Sequence, residues 1–314
     1  MVQHVCPTDD RIQAGTVGVP TSEVDEMTVD AQRKTARDMW HLLEPIHAVT
    51  YFSEEVTAAY KSIGLKGFWQ GYFASRVAPM GPVGGEVCSA VFYNFQPEMV
   101  QRALPAAWHA ASPQAVLAAR YESLQPVLAA MFGDDETIAE AAHLATLAIE
   151  GCALDGRALF AGHASLPPPD DAVLRLWWAA TLLREHRGDG HVAALLASGV
   201  DGLEAHVLAV GTGRVPKELM QTARSWSDEE WTAAERRLEV RGLVGPEGLT
   251  TSGAELRERV EDITDDLAVE PWHRLGDERT ARLSSLLQPL RERVLATGRI
   301  PFFNPIGLPI GDPG

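Results

Sequence analysis

Cysteine is scarce in this chain: Cys6, Cys88 and Cys152 are the three in 314 residues, and no two of them share a paired or metal-type spacing. That excludes a disulfide framework and a CxxC motif, and it fits a reducing compartment. Basic charge is also short. The 27 Lys and Arg residues face 43 Asp and Glu, a formal net charge of −16. This disfavours nucleic acid as a partner, because a duplex-binding surface needs clustered cations to displace counterions. No window approaches the ~18 apolar residues of a membrane-spanning helix. Residues 1–18 mix Asp9, Asp10 and Arg11 among short apolar pieces, so no signal-peptide core forms there. The expectation is a soluble, cytoplasmic protein with no membrane partner. Walker-type loops, GxGxxG and GxSxG do not occur, and Gly81-Pro82-Val83-Gly84-Gly85 has the wrong spacing for a phosphate cradle. The cofactor is left unknown.

What is present is ordinary globular material, 46% hydrophobic and 22% charged, long enough for two domains. The fold class expected is mainly α. Residues 1–29, with Pro7, Gly15, Gly18 and Pro20, read as an N-terminal arm. Residues 30–165 read as a first helical module. It begins with Met39, Leu42, Leu43, Ile46 and Val49 at three- and four-residue steps, a helical period that Pro45 should kink or divide. Residues 86–95 fit either a helix or a strand, with helix favoured. The Pro-rich run 166–171 marks a linker, since consecutive prolines cannot continue a helix. Residues 172–298 form the second module, and the Pro/Gly-rich tail 299–314 is apolar enough to dock on the body and leaves room for a homodimer. Ser227-Asp228-Glu229-Glu230 has the spacing of a capping box, and Leu243 to Thr250 reads as two very short strands about a tight turn.

The most chemically loaded stretch is Arg184-Glu185-His186-Arg187-Gly188-Asp189-Gly190-His191, set between two apolar runs. Gly188 and Gly190 allow a tight turn, with Asp189 capping a helix that starts near His191. The functional alternative makes His191 a general base, Asp189 its orienting carboxylate and His186 a second imidazole, with Arg184 and Arg187 holding an anionic group. A metal on the two histidines is a weaker version of the idea, because a spacing across a loop carries no geometric guarantee. No metal ligand is therefore assigned. His47, in an apolar helix beside Glu44, reads as a core histidine before it reads as a ligand contact. The aromatic segment holding Trp69 and Tyr72, together with Arg76 and Tyr93, supplies candidate ligand-binding residues. A crude internal match sets Trp69 to Arg76 against Trp177 to Arg184.

Residues 172–297 resemble a winged helix. Arg241-Gly242-Leu243-Val244 followed by Leu249-Thr250-Thr251-Ser252-Gly253-Ala254-Glu255-Leu256 is similar to the wing of MarR-type regulators and the helix after it. Over nearly the whole chain, Leu43-Glu44-Pro45-Ile46-His47, Gly67-Phe68-Trp69, Arg184 to His191 and Trp226 to Trp231 resemble an actinobacterial helix-turn-helix-labelled family with no established activity. The resemblance implies two helical modules of degenerate winged-helix type, with a minimal β-wing in the second. The chain departs from a DNA reader in two respects. The helix that would enter the groove sets Asp228, Glu229, Glu230, Glu235 and Glu239 against Arg236, Arg237 and Arg241, and the turn Gly245-Pro246-Glu247-Gly248 has no cation. The resulting expectation is a protein that binds a small organic molecule in a cleft between the modules, with acid/base turnover left open. The alternative is a MarR-like ligand-responsive transcription regulator.

Overall fold

The computed structural model describes residues 23–213, 215–308 and 310. The chain is mainly α. In order it forms α1 (Glu23–Phe52), α2 (Glu54–Ser62), α3 (Gly67–Val77), α4 (Gly85–Phe92), α5 (Pro97–Ala103), α6 (Ala106–Ala110), α7 (Pro113–Phe132), α8 (Ile138–Ile149) and α9 (Ala158–Ala164). There follow α10 (Ala172–Ala197), α11 (Gly202–Val210), α12 (Lys217–Arg224), α13 (Asp228–Val240), β1 (Val244–Gly245), β2 (Gly248–Leu249), α14 (Thr251–Asp266), α15 (Glu270–Leu275) and α16 (Asp277–Ala296). The arm expected over 1–29 lies partly outside the described residues, and its last part, from Glu23, belongs to α1. Pro45 lies inside α1 without dividing it. Residues 85–92 are helical, as favoured.

The organising element is α10. Asp171 caps its start by accepting the Leu174 N–H. Leu176, Trp177, Ala179 and Ala180 in its first half are completely buried, as is usual for a helix apolar on all sides. The turn expected at Gly188 and Gly190 does not exist: α10 runs unbroken through both. The reason at Gly190 is tertiary. A Cβ there would stand 3.1 Å from both Leu267 Cβ and an Arg157 guanidinium nitrogen, so the glycine serves close approach by a neighbouring segment and supplies no bend.

Two apolar cores share this helix. One gathers side chains from α1 to α8, Leu159 and Phe160 of α9, the first half of α10 up to Leu183, α15, α16 and the tail residues Ile300 and Leu308. The other holds Ala194 and Leu195 of α10 with α11, Met220, Trp231, Leu238, Leu243, Leu256 and Val260. The change from one core to the other therefore falls between Leu183 and Ala194, across the charged stretch, while the prolines at 166–171 form a non-helical connection on the near side of it.

Around the second core the order is α11, α12, α13, β1, β2, α14. Ser227 and Glu230 close the expected capping box on α13, Val244 pairs with Leu249 in the two-stranded wing, and Thr250 caps α14 through the Gly253 N–H. The short helices α12 and α15 have no counterpart in the sequence reading. The tail docks, as its apolar content suggests: Ile300 and Leu308 join the first core, Arg224 donates to the Pro305 carbonyl and Arg299 pairs with Glu55, while buried Asn304 braces the tail itself by donating to the Leu308 carbonyl and accepting the Leu308 N–H, both at 2.9 Å. No single helix among the described residues is long and apolar enough to cross a membrane.

Candidate functional site

Glu185 sits at the seam between the cores and is wholly buried. Arg76 of α3 grips it with two bonds, Nε to Oε1 at 3.1 Å and Nη2 to Oε2 at 2.8 Å, the fork geometry that makes such pairs strong. Arg184 Nη1 donates to the same Oε2 at 2.8 Å. The two arginines aligned by the weak internal repeat thus meet on one carboxylate. Burial would raise the pKa of Glu185, but the Arg184 and Arg76 charges outweigh it and hold the carboxyl well below the ordinary range. Arg76 also donates to Tyr72 Oη at 3.1 Å and lies 4.7 Å from the centre of the Phe92 ring.

Beside this triad, Glu44 of α1 accepts from Trp40 Nε1 at 3.1 Å, while Arg184 Nε stands 3.7 Å from its other oxygen, too far for a hydrogen bond. Burial raises the Glu44 pKa, and Arg184 offsets this only in part. His47 is the core histidine that its setting suggests. One ring nitrogen is 3.0 Å from Thr181 Oγ1, the other 2.9 Å from Tyr51 Oη, and its carbonyl accepts Trp177 Nε1 at 3.1 Å. A second two-arginine carboxylate ties the same helices to α14: buried Asp265 receives Arg187 at 2.5 Å and Arg37 at 2.6 Å.

The three residues grouped as an acid/base set do not come together. Asp189 accepts the Phe160 N–H at 2.9 Å, so it caps the first turn of α9 from outside and orients neither imidazole. Burial lifts its pKa to about 6. His191 Nδ1 is 2.9 Å from Thr264 Oγ1 on α14, and burial lowers its pKa. His186 turns to α9 and α15, with its ring edge-on to Phe160 at 5.0 Å. Burial, then Arg157, brings its pKa down to about 4. The physical reason is the unbroken helix: it sets His186 and Asp189, three positions apart, on the face toward Phe160, where the Asp189 carboxylate is taken by the Phe160 N–H, and turns His191 away to Thr264 of α14. Asp189→Ala is expected to cost about 1–2 kcal/mol, the usual loss for a helix cap, whereas Asp189→Asn keeps an acceptor for Phe160. Urea unfolding of the two variants checks this, and an equal loss in both would rule out the capping role.

The aromatic residues, which read as core more readily than as pocket, pack chiefly as core. Trp69, Tyr72, Phe73, Phe92 and Phe95 pack on one another with ring centres 5.0–6.4 Å apart and fill the space they were expected to line. A cavity of only about 10 Å³ lies next to them, by Tyr51, Tyr60, Phe68 and Tyr72. Tyr93 takes a positive φ of 42° and donates to the Val200 carbonyl at 2.6 Å; it is a strut between the units. The larger crevice, about 20 Å³, lies where α1 and α10 meet the α14–α15 corner. Its walls bring Arg184, Arg187 and His186 together with Trp40, Glu44 and Trp272, which the sequence reading left out of the site. The one available signal was Glu44, an acidic residue among the apolar positions Leu42, Leu43, Ile46 and Val49.

Two of the three arginines that the sequence sets on α13 or at its end pair with carboxylates of the same unit. Arg237 reaches Glu204 Oε1 at 2.9 Å and Asp201 Oδ2 at 2.6 Å, and Arg241 reaches Glu204 Oε2 at 3.0 Å. No curated protein and no solved structure matches the chain. A family model does, across residues 36–301, a span containing the α10 seam, the crevice and the wing. The chain belongs to this helix-turn-helix family.

Proposed function

We propose that the protein binds a small organic molecule at the crevice between α1, α10 and the α14–α15 corner. The observation that carries the reading is the meeting of Glu44 and Arg184 there. Both are desolvated, their closest approach is a loose 3.7 Å, and they face a gap walled by Trp40, Leu43, Pro271 and Trp272. A gap of about 20 Å³ admits one water, so an organic guest requires the α15 corner to move outward. Apolar walls with a few convergent polar groups of shifted pKa are the usual mark of a ligand site.

Tryptophan emission tests the idea, because two indoles line the gap. Native mass spectrometry of the protein as purified should show a bound small molecule. Small aromatic amides or carboxylates should quench the emission, less so in Trp40→Phe and Trp272→Phe. Ala36→Leu, which puts three more carbons into the gap, should abolish quenching at a stability cost of about 1–3 kcal/mol. Quenching that persists unchanged in Ala36→Leu would sink the proposal.

A MarR-like ligand-responsive regulator is the second reading, favoured by the intact α12–α13–wing order. Against it stand the net charge of −16 and the internal pairing of Arg237 and Arg241. Titration with duplex DNA at low salt separates the two readings, since tight, salt-dependent binding would favour the regulator.

A further inference from the structure

We propose that Cys152, His186 and Glu270 form a site for one divalent transition-metal ion of the zinc type. Cys152 follows the end of α8, His186 lies mid-way along α10, and Glu270 opens α15. Their ligand atoms, one thiol sulfur, one ring nitrogen and one carboxylate oxygen, all lie within 4.8 Å of one another. His186 Nε2 is buried without a hydrogen-bond partner and points to Glu270 Oε2 at 3.7 Å. A buried polar atom left unmatched is costly, and a metal ion would satisfy it.

The distances suit that role. Zinc bonds of about 2.0–2.2 Å to nitrogen and oxygen in a tetrahedral arrangement place those two atoms roughly 3.4 Å apart, and a sulfur bonded at about 2.3 Å lies roughly 3.6 Å from either. The His–Glu pair is already near this separation. A rotation of the Cys152 thiol, which now donates to the Ala148 carbonyl at 3.3 Å, brings the third ligand in.

The surroundings hold the ligands as outer groups do at metal sites. The Ala153 N–H, next to the cysteine, lies 3.2 Å from both Glu270 oxygens. Arg274 Nε takes Oε1 at 3.1 Å, leaving Oε2 for the imidazole side. Arg157 donates to the His186 carbonyl and fixes that turn of α10. Glu270 remains about one-third exposed, which gives an ion a way in. A nitrogen, a sulfur and a carboxylate oxygen select zinc, cobalt or nickel over calcium or magnesium, and three protein ligands leave a fourth position for water. As the metal–sulfur bond forms, the thiol proton leaves to solvent.

Cobalt(II) titration of the metal-stripped full-length protein tests the site. One equivalent should bind with a thiolate-to-cobalt charge-transfer band, and zinc should displace it. The band should vanish in Cys152→Ser, and affinity should fall by at least about tenfold in His186→Gln. The Cys6→Ser/Cys88→Ser double variant should retain both. In the unaltered protein, zinc should also slow alkylation of Cys152, followed by peptide mapping. Absence of the band from the wild-type chain, its survival in Cys152→Ser, or its loss in the double variant would each overturn the proposal.

Discussion

Glu185→Ala is expected to lower the unfolding free energy by about 3–5 kcal/mol, the cost typical of leaving buried charges without their partner. The substitution strands two guanidinium groups. Arg76 loses its two-pronged acceptor and keeps only Tyr72 Oη at 3.1 Å. Arg184 loses its 2.8 Å bond and is left with Glu44 at 3.7 Å. Because the penalty comes from the unmatched cations and not from the lost attraction, removing one of them should help. Arg76→Met with Glu185→Leu keeps the volume, removes one cation together with the carboxylate, and leaves Arg184 to close on Glu44. That double variant should recover at least half of the loss. Urea unfolding of the single and double variants decides the matter: a loss under about 1 kcal/mol in Glu185→Ala, or no recovery in the double variant, would mean the triad is not holding the seam.

The parts of the fold that could be read directly from the sequence are those fixed by local chemistry. The capping box at Ser227 and Glu230 and the Gly245-Pro246-Glu247-Gly248 turn between the two short strands depend on residues within a few positions of each other, and each is found where the spacing places it. The charged stretch of α10 differs from the turn its sequence suggests for the opposite reason. Gly188 and Gly190 look like a turn when only their neighbours in sequence are considered, whereas Gly190 is dictated by Leu267 and Arg157 packing against it. Once the helix continues, the partners of its charges lie far away along the chain: Arg76 for Glu185, Phe160 for Asp189, Thr264 for His191 and Asp265 for Arg187.

The same cause explains what was missed at the candidate sites. Trp272 of the crevice and Glu270 of the Cys152–His186–Glu270 cluster sit on α15, a six-residue helix opened by Glu270-Pro271 and too short to show a period. Cys152 had no neighbouring cysteine or histidine to betray a ligand spacing, because its companions come from α10 and α15. The charge density of Arg184 to His191 did mark a special place. It marks the passage of one helix from the first core to the second, where polar side chains meet carboxylates, carbonyls and N–H groups from α1, α3, α9, α14 and α15.

Acidification of the metal-stripped protein from pH 7 to pH 5 is expected to remove on the order of 5 kcal/mol of stability, through histidines that are buried in their neutral form. Burial, the largest cause in each case, brings His163 and His206 down to about 3 and His186 down to about 4, and lowers His47 and His191 in the same direction. The unfolded chain titrates these rings near 6.5. Between that value and the folded one the unfolded state carries protons that the native state refuses, so stability is complete above about pH 6.5 and falls as the pH drops. At pH 5 each of the three rings with a folded value of 4 or below contributes about 2 kcal/mol of loss, at 1.36 kcal/mol per unit over 1.5 units. Asp189 works the other way. Its folded value of about 6 lies above the ordinary carboxylate range, so the native state takes up that proton first and offsets about 1 kcal/mol at pH 5. Urea midpoints measured in half-unit steps from pH 7.5 to pH 5 should fall continuously below pH 6.5. His163→Gln, which removes a ring whose Nδ1 has no partner, should flatten the slope by about one proton. Midpoints that hold constant down to pH 5 would show that the buried rings take up protons in the folded state.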